Sequence, residues 1–405
     1  MNKLYIIFLL IFGENIFLIA QNCDYFFEQD EKIERFTEGY VKNFAQHTLP
    51  RAVVKIPVVV HIVWKNTDEN ISDEQIRSQI EVLNQDFRKK NVDAKDVPGS
   101  FKTVAADCEI EFCLAQRDTF GRPTTGINRK QTTADNVGTA FSTNRRRIYY
   151  ADLGGVQNWK PKQYLNIWVC KMENGSGLGY TTSLSKALAI PSEDGIVVDY
   201  RVFGTTGTAA NTEGHKNGRT ATHEIGHYFN LLHIWGSDDT CNDDDLVDDT
   251  PKQANAYTGC PSFPQLSCGI GNMYMNFMDY TNDECMGLFT IGQKARMLAA
   301  LTEFRSGLLT SVNCDTSPTQ DIDFQYHIYP NPVNDVLKID IKNAPTFHSK
   351  TVTLMDAFGR ILLENKDVNT EGGIEMPMKN YPNGFYIILL KFDNQVLVSK
   401  IIIAR

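Results

Sequence analysis

The residues best suited to chemistry lie in the stretch 223–233, which carries three histidines and one glutamate. His223 and His227 are at positions i and i+4, so on a helix both imidazoles project from one face and can bind one metal ion. Glu224 follows the first histidine and lies beside such an ion, where it can take a proton from a bound water molecule. Two imidazoles and a neighbouring carboxylate at this spacing indicate a catalytic Zn²⁺ site.

The third histidine of this stretch needs a change of chain direction to reach the same ion. His233 lies too far along the chain to share the helical face of the first two. Asn230 is the expected turning point, because asparagine tolerates the left-handed conformation better than any residue except glycine. We therefore predict that His223, His227 and His233 bind Zn²⁺ as neutral imidazoles and leave a fourth position for water.

This pattern resembles the signature of the metzincin zinc peptidases, H-E-x-x-H-x-x-G-x-x-H, with Asn230 in place of the usual glycine. Metzincins also have a methionine-containing turn beneath the metal, and residues 276–280 resemble it. The resemblance implies that Met278 is a structural floor under the site and that the Tyr280 hydroxyl hydrogen-bonds the developing oxyanion. For Tyr280, a plain packing role is the alternative.

Flanking segments make the resemblance specific to the pappalysin family, over roughly residues 53–312. It implies an α/β (α+β) catalytic domain of the metzincin type, with an irregular lower half that contains disulfides. It also implies the pairs Cys241–Cys268 and Cys260–Cys285, although spacing alone allows three pairings of these four cysteines. The pairing of Cys108, Cys113, Cys170 and Cys314 stays open. The flanking segments are 218–220, 233–236, 249–251, 285–286, 289–290, Gln293 and 296–297.

Residues 238–249 contain seven aspartates. Such a loop is either a solubilising acidic surface or a Ca²⁺ site, since hard cations bind several carboxylate and carbonyl oxygens on irregular backbone. The aspartate spacing does not fit an EF-hand. The pappalysin resemblance favours calcium, and Asp245, Asp248 and Thr250 are the candidate ligands.

The N-terminus is typical of a secretory signal peptide. Lys3 precedes two apolar runs, and residues 13–15 interrupt them, which makes the stretch a poor membrane span. We expect residues 1–20 to be removed by cleavage after Ala20. No later stretch is long and apolar enough to cross a bilayer, so the protein is expected to be secreted or held at the cell surface.

Residues 21–50 are predicted to be a pro-segment that contains one amphipathic helix, with apolar residues at helical spacing from Ile33 to Phe44. Cleavage near residues 49–51 would remove it. Cys23 has two interpretations. Its thiolate either binds the Zn²⁺ of an inactive zymogen, as in related zymogens, or it is an ordinary exported cysteine.

Residues 51–314 are predicted to form the catalytic domain, in which buried strands alternate with helices before the metal-binding helix. His61, inside the first strand, is expected to be a core residue rather than a ligand. Residues 174–182 are predicted to be a loop entering an edge strand, with which a substrate main chain can pair. The other expected elements are helices at 71–91 and 289–305 and strands at 56–64, 108–117, 165–172 and 196–199.

The pattern changes to short alternating strands and turns after a polar linker at 315–325. Residues 326–405 resemble the C-terminal sorting domain of the type IX secretion system of Bacteroidetes, most specifically in segments 329–332 and 383–386. The resemblance implies a small all-β sandwich and passage through that secretion machinery. A carbohydrate- or protein-binding β-sandwich is the alternative.

The predicted function is that of a secreted zinc endopeptidase that is made as a zymogen and hydrolyses peptide bonds of extracellular proteins. The net charge of −9, without a dense basic block, predicts no nucleic-acid partner. The alternatives are a surface adhesion protein with a structural metal site and a zinc amidase that acts on peptidoglycan. A structural site would lack Glu224 or add a fourth protein ligand, and only Cys23 could be one. The sequence therefore favours the enzyme but leaves its substrate and oligomeric state open.

Overall fold

The structure of the chain is a computed structural model. The predicted signal peptide 1–20, Cys23 and the expected cut at 49–51 lie outside the residues that it describes, as does nearly all of the predicted linker 315–325. The described residues are 30–44, 53–173, 175–236, 240–269, 271–309, 311, 313–314, 325–342, 350–357, 360–366, 368, 373–392 and 395–405.

A mixed sheet forms the framework of the catalytic region. The strands between residues 54 and 199, which include those of this sheet, are β1 (Val54–Trp64), β2 (Ile110–Leu114), β3 (Ile127–Gln131), β4 (Phe141–Ser142), β5 (Arg145–Arg146), β6 (Leu165–Cys170), β7 (Gly179–Thr181) and β8 (Ile196–Asp199). The order in the sheet is β2-β1-β6-β8-β7, with β3 also paired to β1, while β4 and β5 form a separate ribbon. All pairings in the sheet are parallel except that of β7, which is antiparallel to β8 and lies at the edge.

Strand β1 lies at the centre of the core, and residues 56–63 are all buried, as their continuous apolar character predicts. His61 is the polar exception. Its Nε2 lies 3.0 Å from Asn166 Oδ1, and its ring stacks on Trp168 with centroids 5.2 Å apart. Burial lowers the pKa of His61 to about 4, so this is a neutral, hydrogen-bonded core histidine.

Helices cover the sheet and begin at recognisable caps. Ser72 accepts a hydrogen bond from the Gln75 amide at 3.2 Å, and Thr290 and Gln293 form a reciprocal capping box. The helices are α1 (Glu31–Phe44), α2 (Asp73–Phe87), α3 (Gly99–Lys102), α4 (Leu184–Ala189), α5 (Arg219–Tyr228), α6 (Ile291–Glu303) and α7 (Ser306–Leu309).

Four predicted elements are shorter in the structure than their sequence patterns indicate. The helix predicted at 289–305 spans Ile291–Glu303, and the strand predicted at 165–172 spans Leu165–Cys170. The helix predicted at 71–91 ends at Phe87, and Lys89 just beyond it has a φ of +50°. The strand predicted at 108–117 begins only at Ile110, because Glu109 has a φ of +57° and interrupts the extended backbone.

The lower half of the catalytic region is irregular. The described residues between 240 and 289 form turns, isolated bridges and the 3-10 helix Asp283–Cys285. Disulfides join Cys241 to Cys268 and Cys260 to Cys285, the same pairs that the family resemblance implies. A further disulfide, Cys113–Cys314, ties β2 to the end of this region, while Cys108 and Cys170 are buried thiols. The chain thus has the mixed α/β fold with a disulfide-containing lower half that the sequence predicts.

The C-terminal region is all β and has its own apolar core around Leu337, Leu354 and Ile388. Antiparallel strands form two sheets, ordered β13-β10-β9 and β12-β11-β14-β15. Their bounds are β9 (Gln325–Tyr329), β10 (Val336–Lys342), β11 (Lys350–Asp356), β12 (Ile361–Lys366), β13 (Ile374–Pro377), β14 (Gly384–Phe392) and β15 (Gln395–Ile403). The predicted small all-β domain is confirmed. No helix among the described residues is long and apolar enough to cross a membrane.

Candidate active site

Helix α5 carries the first two histidines and the glutamate through the middle of the fold. All of its residues are buried. Gly226 has no side chain where the helix packs on Met278, and a Cβ there would collide with the Met278 sulfur. This close approach places the methionine beneath the helix turn that carries His223 and His227.

The helix ends at the residue that the sequence predicts. Asn230 has a φ of +69°, and the amide of Leu231 donates to the carbonyl of Gly226 at 3.0 Å. The chain then reverses and brings His233 back beside the first two histidines. Asparagine makes this left-handed residue possible without glycine.

The three histidines converge on one point through their Nε2 atoms. The Nε2–Nε2 distances are 3.0 Å from His223 to His227, 3.0 Å from His227 to His233 and 3.2 Å from His223 to His233. A tetrahedral ion with Zn–N bonds of about 2.05 Å needs nitrogens about 3.3 Å apart, so the donor set fits one ion after a small expansion. Among the described residues, this is the one group of three or more histidine, cysteine or acidic side chains close enough to share a metal.

The protonation of the histidines also suits metal binding. The Nδ1 of His223 lies 2.8 Å from the carbonyl oxygen of Phe277, and the Nδ1 of His227 lies 2.8 Å from that of Leu231. Each Nδ1 therefore carries the proton and leaves the Nε2 lone pair for a metal. Burial lowers the pKa of His223 to about 4 and those of His227 and His233 well below their usual value, so all three are neutral near pH 7.

Two aromatic side chains fix the position of His233. The ring of Trp235 stacks on the imidazole with centroids 4.3 Å apart and planes within 8°. The hydroxyl of Tyr280 lies 3.1 Å from His233 Nε2, which places it at the edge of the metal centre. In the sequence, Trp235 belongs to the family pattern at 233–236 without a predicted role, since a stacking partner is not evident from spacing.

The methionine turn is locked by amide side chains. Asn276 and Gln293 exchange two hydrogen bonds of 2.9 and 3.0 Å, and the Asn276 Oδ1 also accepts from the amide of Met278 at 2.9 Å. Asp279 accepts from the amides of Tyr257 and Tyr280 at 2.8 and 2.7 Å, and burial raises its pKa to about 7. These contacts hold Tyr280 against the histidines.

A narrow cleft lies beside the histidines, and Glu224, itself only 2% exposed, lines it. The start of the edge strand β7 forms the opposite wall. A Cβ at Gly179 would lie 3.0 Å from Glu224 Cγ, so glycine lets the strand edge approach the glutamate closely. The remaining lining residues are Leu178, Arg219, Thr220, His223, Asp279, Tyr280, Asp283 and Met286.

The acidic loop contains one carboxylate of unusual environment. Asp245 is buried, and its Oδ1 accepts from the Thr250 hydroxyl at 2.6 Å, while its buried Oδ2 has no hydrogen-bond partner. Burial raises the pKa of Asp245 well above the usual value. Asp248 is exposed in the same loop, and Asp238 and Asp239 lie outside the described residues. A buried carboxylate oxygen without a donor is an atom that a bound cation would satisfy.

The fold, the three histidines with Glu224 and the methionine turn define a metallopeptidase of the metzincin type. The family model described as pregnancy-associated plasma protein-A matches residues 153–302. The extracellular metalloprotease of Arthroderma otae is 30% identical over 283 residues, which is 66% of this chain and 89% of that protein. That of Arthroderma benhamiae is 30% identical over 261 residues, 63% of this chain and 80% of that protein. The chain belongs to the pregnancy-associated plasma protein-A family of metallopeptidases.

Solved structures show the same relationship. Mature mirolysin of Tannerella forsythia in complex with a cleaved peptide is 42% identical, with a TM-score of 0.60, and the match covers 64% of this chain and 97% of that chain. A promirolysin variant from the same organism is 39% identical, also with a TM-score of 0.60, over 69% of this chain and 91% of that chain.

The C-terminal region has a separate match. The family model described as secretion system C-terminal sorting domain covers residues 327–404. The protein is therefore secreted or placed at the cell surface, as the sequence predicts.

Proposed function

We propose that the protein is a zinc-dependent endopeptidase that cuts within extracellular proteins and is made as an inactive precursor. One observation carries this proposal: three Nε2 atoms lie within 3.2 Å of one another beside a cleft lined by Glu224. No fourth histidine, cysteine or acidic side chain joins that group among the described residues, so an ion there keeps a position open for chemistry. An adhesion protein with a structural metal would close that position. The test is whether the metal-loaded protein cuts an unfolded protein substrate.

Each residue at the cleft has a separate role in the proposed reaction. A zinc ion on the three histidines would act as a Lewis acid and lower the pKa of a bound water to about 7. Glu224 takes the proton of the attacking water and delivers it to the leaving amine. The Tyr280 hydroxyl donates a hydrogen bond to the developing oxyanion. Met278 supports the histidines from below and takes no part in the chemistry.

The edge strand β7 is proposed to bind the main chain of the substrate. It pairs with β8 on one side, and its other side borders the cleft at Gly179. An extended peptide that pairs with this edge gains main-chain hydrogen bonds and brings its scissile bond past His223 and Glu224.

The cleft favours a basic substrate side chain next to the scissile bond. Arg219, the cationic side chain in the lining, is ion-paired with Asp86 and Asp93. Asp283 lines the same cleft, and its Oδ2 accepts from the amides of Asn217 and Arg219 at 2.8 and 3.3 Å. A lysine or arginine side chain of the substrate would complement its charge. The residues that flank cut sites in a digested protein test this preference. Cut sites without any enrichment of basic residues would contradict it.

Replacing Tyr280 by phenylalanine is expected to lower kcat by about 100-fold and to change KM little, because the hydroxyl acts only on the oxyanion. Steady-state kinetics on a peptide substrate, with zinc content measured in parallel, provide the test. An unchanged kcat at full zinc content would make Tyr280 a packing residue.

We also propose a Ca²⁺ site at Asp245, with Asp248 and Thr250 as further candidate ligands. The buried, unpartnered Oδ2 of Asp245 supports it, because hard cations bind carboxylate oxygens on irregular loops. Millimolar Ca²⁺ is expected to raise the Tm of the wild type, since a ligand that binds only the folded state stabilises it by about 2.7 kcal/mol at 100 times its Kd. Asp245→Asn should abolish the calcium-dependent rise, while Asp152→Asn at an exposed site should keep it. An equal rise in Asp245→Asn would remove Asp245 from the site.

The proposed division of the chain follows the sequence: residues 1–20 signal peptide, 21–50 pro-segment, 51–314 catalytic domain, 315–325 linker and 326–405 sorting domain. The likeness to promirolysin supports the precursor. The secretion route is proposed to be of type IX. Whether the thiol of Cys23 caps the zinc of the precursor remains a prediction, since this residue lies outside the described ones.

A further inference from the structure

An ion pair holds helix α1 against the catalytic region. Both carboxylate oxygens of Glu34 lie 2.7 Å from Nη2 of Arg296, whose side chain is only 1% exposed. Apolar contacts surround this pair. Ile33 packs with Leu184 and Ala300, and the ring of Phe36 meets that of Phe304 edge to face at 5.7 Å. Residues of α6, together with Leu184 and Phe304, therefore bind the apolar face of α1, and Arg296 binds the Glu34 carboxylate.

The same arginine reaches the turn that positions the third histidine. Its Nε donates to the carbonyl oxygen of Asn230 at 2.8 Å, and the side-chain amide of Asn230 donates to Glu34 Oε1 at 3.3 Å. Asn230 is the left-handed residue that returns the chain to His233. We call the network of Glu34, Arg296 and Asn230 the Glu34 clamp.

We propose that the Glu34 clamp couples the docking of α1 to the geometry of the metal centre. Arg296 is a positioning residue for the turn at Asn230, and Glu34 is the counterion of Arg296 while α1 is docked. If docking of α1 raises the affinity of the histidines for a metal ion, then the bound ion must raise the docking equilibrium constant of α1 by the same factor, because linkage is reciprocal. The N-terminal helix then has an anchor of its own, independent of any contact made by Cys23.

Undocking of α1 would leave a buried cation without its hydrogen-bonded carboxylate. The Arg296 side chain is 1% exposed, and both carboxylate oxygens of Glu34 accept from its Nη2. Hydrogen bonds to charged groups are among the stronger ones, so we expect Glu34 to account for a factor of about 10 to 100 in the docking equilibrium.

Amide hydrogen exchange of residues 31–44 tests the proposal, which rests on the proposed metal binding. The full-length chain carries Glu224→Ala and Cys23→Ser in all samples, so that it cannot cut itself and cannot bind the zinc through the Cys23 thiol. In this parent, zinc should slow exchange of α1. Glu34→Gln should speed exchange about 10- to 100-fold. The control Glu38→Gln, one turn along at a side chain that is 56% exposed, should behave as the parent.

Arg296→Lys tests the coupling itself. It keeps the charge but loses the planar Nε donor, so it should reduce the effect of zinc on α1 exchange more than it reduces the docking of α1.

The possible outcomes distinguish a failure of this coupling from a failure of the proposed zinc-dependent function. Zinc affinity, measured by competition with a chelator, should fall in Glu34→Gln by the factor by which zinc protects α1 in the parent. A parent that binds zinc without a change in α1 exchange overturns the coupling. Equal exchange in Glu34→Gln and Glu38→Gln overturns the anchor, whether or not zinc binds. A parent that binds no zinc contradicts the proposed function itself.

Discussion

Replacing Glu224 by alanine is expected to lower kcat/KM by about 10³-fold or more while the metal stays bound, because a positioned general base contributes about 10² to 10⁴ to a rate. The side chain lines the cleft and lies outside the group of three nitrogens that would hold the ion. Its removal therefore leaves the ligands in place and takes away the acceptor for the proton of the attacking water. Peptide hydrolysis and the zinc content of the same samples measure both halves of this expectation.

A matched control uses a glutamate that does not face the cleft. Glu213 is exposed and precedes α5, so Glu213→Ala should retain wild-type turnover. Glu224→Gln, which keeps the shape but cannot accept the proton in the same way, should be as inactive as the alanine variant. Wild-type turnover in Glu224→Ala, with zinc present, would show that another group is the base.

Removing the metal is expected to abolish activity, and one equivalent of zinc per chain should restore it. The three Nε2 atoms form the one cluster among the described residues that can hold such an ion. The loss should be complete rather than partial, because Arg219, the cationic side chain of the lining, is ion-paired with Asp86 and Asp93 and cannot replace a metal ion at the substrate carbonyl. Titration of zinc into chelator-treated protein, followed by hydrolysis of a peptide, gives the stoichiometry.

The result of that titration can contradict the account in two ways. Full activity in protein shown to be metal-free would exclude a metal-dependent reaction. A requirement for two equivalents would point to a second essential ion. Magnesium added in place of zinc is a suitable control, because three imidazoles bind zinc far better than they bind a hard cation.

Local chemistry explains which parts of the site were predictable. The spacing of His223 and His227 fixes a shared helical face, and Asn230 is one of the few residue types that tolerate the observed φ of +69°. Each of these features depends on contacts within a few residues, which a single sequence displays directly.

Features that depend on distant contacts were not predictable. Glu34 and Arg296 are 262 positions apart, and nothing in either neighbourhood indicates the partner. The stacking of Trp235 on His233 depends on how the chain returns after the turn. The early end of a helix and the late start of a strand arise at Lys89 and Glu109, whose residue types do not indicate a positive φ.

The most direct test of the central claim is mass spectrometry of an unfolded protein incubated with the zinc-loaded chain, before and after removal of everything N-terminal to residue 53. We expect new amino termini inside the substrate, in complementary fragments whose masses add to that of the substrate plus one water. The Glu224→Ala protein should yield none of these fragments. An intact substrate after incubation with the trimmed, zinc-loaded wild type would contradict the assignment of this protein as an endopeptidase.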